Sequence, residues 1–88
     1  MDDPLAERAP PSPEQLRQFH ALYAFYTSTI RNAAGLRGFA LQLRVEKAAT
    51  LEELLALRAP YLDLVRRARG NERASALAQQ LEAVLGEA

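Results

Sequence analysis

Large apolar residues recur at steps of three and four from Leu16 onward: Leu16, Phe19, Tyr23, Tyr26 and Ile30. No other feature constrains the fold as strongly, because that spacing puts all five on one stripe of an α-helix. Leu22 and Phe25 add a second stripe. A helix apolar around more than half its circumference has to lie at the centre of a fold, or be pressed between a fold and a partner. Its start is well marked. Ser12-Pro13-Glu14-Gln15 offers an N-cap, a proline at the first helical position and a glutamine placed to reach back to the cap amide. Gly35, just past Ala34, is positioned to end the helix as a left-handed cap.

The rest of the chain favours helix as well. Seventeen Ala and fifteen Leu stand against four Val or Ile residues (Ile30, Val45, Val65 and Val84), a bias toward side chains that lose little freedom in a helix. With 88 residues, 49% of them hydrophobic and 25% charged, the composition is that of one ordinary globular domain. The expected class is all-α, a small bundle of three to five helices over residues 13–86. Residues 1–12, with Pro4, Pro10, Pro11 and little to bury, are expected to form a flexible N-terminal tail.

One segment supports two readings. Phe39, Leu41, Leu43 and Val45 alternate with Ala40, Gln42, Arg44 and Glu46, which is the period of a strand. As a helix, the same segment puts Leu36, Phe39, Ala40 and Leu43 on one face and Leu41, Val45 and Ala48 on the other, so it would be buried on two sides. Helix is preferred at 39–45, because a strand would need a partner that the chain does not visibly contain. Beyond it, Thr50-Leu51-Glu52-Glu53 is a second capping box. Pro60 should then either kink the helix near Leu57 or divide it in two. Gly70 closes that element, and Asn71 is expected to cap a last helix carrying Ala74, Leu77, Ala78, Leu81, Val84 and Leu85 on one face.

Chemistry is sparsely represented. No cysteine is present, which removes disulfides, thiolate metal sites and a cysteine nucleophile together. His20 is the one histidine. It has no serine three or four residues away to orient and sits in an aromatic stretch, so the chain is not expected to be an enzyme or to hold a metal or cofactor. The carboxylates show no paired spacing. Gly35-Leu36-Arg37-Gly38 lacks the glycine spacing and the Lys-Ser/Thr of a phosphate loop.

Two functional expectations follow, of different classes. A bundle this small has more apolar helix surface than it needs, and a second copy or another protein would most simply cover the surplus. Phe19, Leu22, Tyr23, Phe25 and Tyr26 are the anchors such an interaction module or homodimer would use. The alternative is a nucleic-acid-binding domain built on Arg66, Arg67, Arg69 and Arg73, the one local excess of positive charge. Eleven Lys+Arg balance eleven Asp+Glu over the whole chain, so no global attraction assists it. With an acidic start and no apolar run near the roughly 18 residues of a spanning helix, a cytoplasmic location without membrane contact is expected.

Overall fold

The computed structural model describes residues 11–87. The tail expected over 1–12 therefore lies outside the described residues, apart from Pro11 and Ser12. Five α-helices follow in order: α1 (Pro13–Ala34), α2 (Phe39–Lys47), α3 (Leu51–Ala56), α4 (Arg58–Arg69) and α5 (Asn71–Glu87), with a 3-10 turn at Gly35–Gly38 between the first two. No strand occurs among the described residues, so the fold is an all-α bundle and residues 39–45 are helix. None of the described helices is long and apolar enough to cross a membrane.

Local chemistry sets the boundaries. Ser12 accepts from the Gln15 amide at 3.1 Å while the Gln15 side chain accepts from the Ser12 amide at 3.0 Å, closing the first capping box. Thr50 accepts from the Glu53 amide at 3.1 Å, and the Glu53 carboxylate accepts from the Ala49 amide at 2.7 Å. Pro60 does not kink a single helix. The chain breaks at Leu57 instead, leaving Pro60 in the first turn of α4, where a missing N–H breaks no intrahelical bond. Gly35 has φ 55° and ψ −127°, a combination open to glycine rather than the left-handed helical cap that was expected. Asn71 is already helical: Gly70 fills the cap position, its carbonyl accepting from Ala74 at 3.2 Å.

Three long helices, α1, α4 and α5, pack on one another, with α2 and α3 laid across α1. The α1 contribution to the core is the line Leu22, Tyr26, Ile30 and Ala33, which runs between the two apolar stripes of the sequence. Leu41 and Val45 of α2, Leu54 and Leu57, Tyr61 and Val65 of α4, and Leu77 and Leu81 of α5 complete it. Gly38 is buried against Ile30, and a Cβ there would overlap the Ile30 Cγ2. That close approach sets how the 3-10 turn, and the α2 helix continuing from it, lie on α1.

At the middle of the core the Tyr26 and Tyr61 rings meet at a tilt, with centroids 5.0 Å apart. Tyr26 donates to the Leu54 carbonyl at 2.9 Å, and Tyr61 lies 2.7 Å from the Thr29 hydroxyl. Both phenols are fully buried and both are hydrogen-bonded, as buried polar groups must be to avoid a desolvation penalty.

Candidate interaction surface

The anchors expected from the sequence separate once the chain is folded. Leu22 and Tyr26 have no exposed surface at all; both are core residues and no partner can reach them in this fold. Phe19, Tyr23 and Phe25 are half-buried against the core cluster, on the shoulders of α1. Aromatic contacts tie them inward: Phe25 meets the Tyr61 ring edge-on at 5.9 Å, and Phe19 stacks on Tyr23 at 6.2 Å. The aromatic-rich face of α1 is therefore mostly the inside of the molecule.

The surplus apolar surface lies one element later. Leu36 is 93% exposed, Phe39 63% and Leu43 38%, and Ala40 beside them is exposed too. Phe39, Ala40 and Leu43 are one face of α2, whose opposite face, Leu41 and Val45, is in the core, and Leu36 precedes them on the 3-10 turn. The helix expected to be buried on two sides is buried on one. Arg37, Arg44 and Lys47 are also exposed; at 100° per residue, Arg44 and Lys47 border Ala40 on the wheel, giving the stripe a basic edge. None of the three takes part in an ion pair among the described residues. A shallow hollow lined by Ile30, Leu36, Gly38, Phe39 and Gln42 runs along the stripe's base, and the Gln42 side-chain oxygen is buried there without a hydrogen-bond partner.

A second apolar feature opens near the start of α1. Pro11, Gln15, Leu16, Phe19 and His20 face Ala49, Thr50, Leu51 and Glu52 across a cleft of about 360 Å³. Leu16 on its wall is 44% exposed. His20 is exposed at the rim, its ring edge-on to Phe19 at 5.8 Å. No side chain hydrogen-bonds to it among the described residues.

The arginine cluster is largely engaged within the chain. Asp63 holds both Arg66 and Arg67, the latter at 3.0 Å. Arg69 donates from Nε to the Ala33 carbonyl at 2.9 Å and from Nη2 to the Asn32 carbonyl at 3.1 Å, closing the C-terminal turn of α1. Arg73 shares a small hollow with Arg69 and Asn32. Arg69 is thus a helix cap, and all four arginines lie at the surface.

No protein-family model, curated protein or solved structure matches this chain. Sequence periodicity showed that apolar surface was in excess. The large apolar side chains most exposed in the fold, Leu36 and Phe39, belong to the Leu36, Phe39, Ala40, Leu43 face rather than to α1.

Proposed function

We propose that this chain is a non-enzymatic protein-interaction module that docks through Leu36, Phe39 and Leu43. The carrying observation is that Phe39 and Leu43 stand outward on a helix whose other face is already in the core, with Leu36 exposed on the turn before it, so the fold itself has no use for them. Contiguous exposed apolar surface of this kind marks a contact site when polar groups rim it. An apolar helix face presented at spacings of three and four is a common form for such a site, and a phenylalanine at its middle suits an interface centre.

The test is a photo-crosslinking residue placed at Ala40 in otherwise native chain, expressed in cells, with and without Phe39→Glu. A covalent product that Phe39→Glu removes, in a variant with unchanged helical circular dichroism, is the expected result. Finding no product that depends on Phe39 would sink the proposal.

A further inference from the structure

We draw no further inference here: the strongest candidate, the cleft that Leu16, Phe19 and Leu51 line at the start of α1, carries none, because nothing in the structure shows what fills it.

Discussion

The hydroxyl of Tyr61 lies 2.7 Å from that of Thr29, and Tyr61 is the donor, because Thr29 directs its own hydrogen to the Phe25 carbonyl at 2.7 Å. Tyr26 beside it donates to the Leu54 carbonyl. The core therefore contains two phenols that must both stay protonated to keep their hydrogen bonds.

Alkaline pH should unfold the protein through this pair. Burial, reinforced by neighbouring Tyr61 and opposed by Arg58, raises Tyr26 to about 12. Burial raises Tyr61 too, opposed by the charge of Arg73. In the unfolded chain both ionise near pH 10. Above that pH the unfolded state binds fewer protons than the folded one, so stability falls as pH rises. The Tyr26 contribution is complete below about pH 10 and is lost on the way to about 12. Thermal melts followed by circular dichroism across that range should show the decline, and Tyr26→Phe should make it shallower.

Thr29→Val should destabilise by about 1–3 kcal/mol, since it leaves the Tyr61 hydroxyl buried without an acceptor. Tyr61→Phe in the same background should recover part of the loss. Denaturant titrations of the two single variants and the double variant measure the coupling, and strict additivity would contradict the geometry.

Gly38→Ala and Gly35→Ala should both destabilise, for different reasons. At Gly38 the added methyl meets Ile30, an overpacking cost of about 1–3 kcal/mol. At Gly35 nothing lies within 4 Å of the added atom, but φ is 55°, and the cost is torsional, about 1–3 kcal/mol. Trimming Ile30 to Ala should lessen the effect of Gly38→Ala and leave that of Gly35→Ala unchanged, as read by urea midpoints.

Arg69→Lys should behave nearly as badly as Arg69→Ala. The two carbonyls of Asn32 and Ala33 are met by separate nitrogens of one planar group, a fork that an ammonium cannot reproduce. Loss of about 1–2 kcal/mol is expected for either. Hydrogen exchange should quicken first at the amides of the last turn of α1.

The class of the fold and several helix starts were legible because they depend on neighbours in sequence. Ser12 with Gln15 and Thr50 with Glu53 are contacts three residues apart, and Gly35 and Gly70 act where they stand. The exposed apolar stripe was less legible because its exposure depends on rotation. Periodicity says that α1 and α2 each have wide apolar surfaces, but which part is covered follows from how Gly38 rests on Ile30, an approach between separate elements. One residue more or less in the turn would rotate α2 by about 100° and turn Leu41 and Val45 away from the core. Arg69 was read as surface charge for the same reason: the carbonyls it caps are 36 and 37 residues away.

Single residues, Leu57 and Gly70, join α3 to α4 and α4 to α5. Recognition in most domains is entrusted to loops, which must be ordered when a partner arrives. Here Phe39 and Leu43 of the stripe and most of the cleft wall are carried on packed helices, with Leu36, Pro11, Ala49 and Thr50 contributed from outside them. Association would then lose little backbone entropy, so even a contact of modest area could be durable, and its strength should vary little with temperature-driven loop motion.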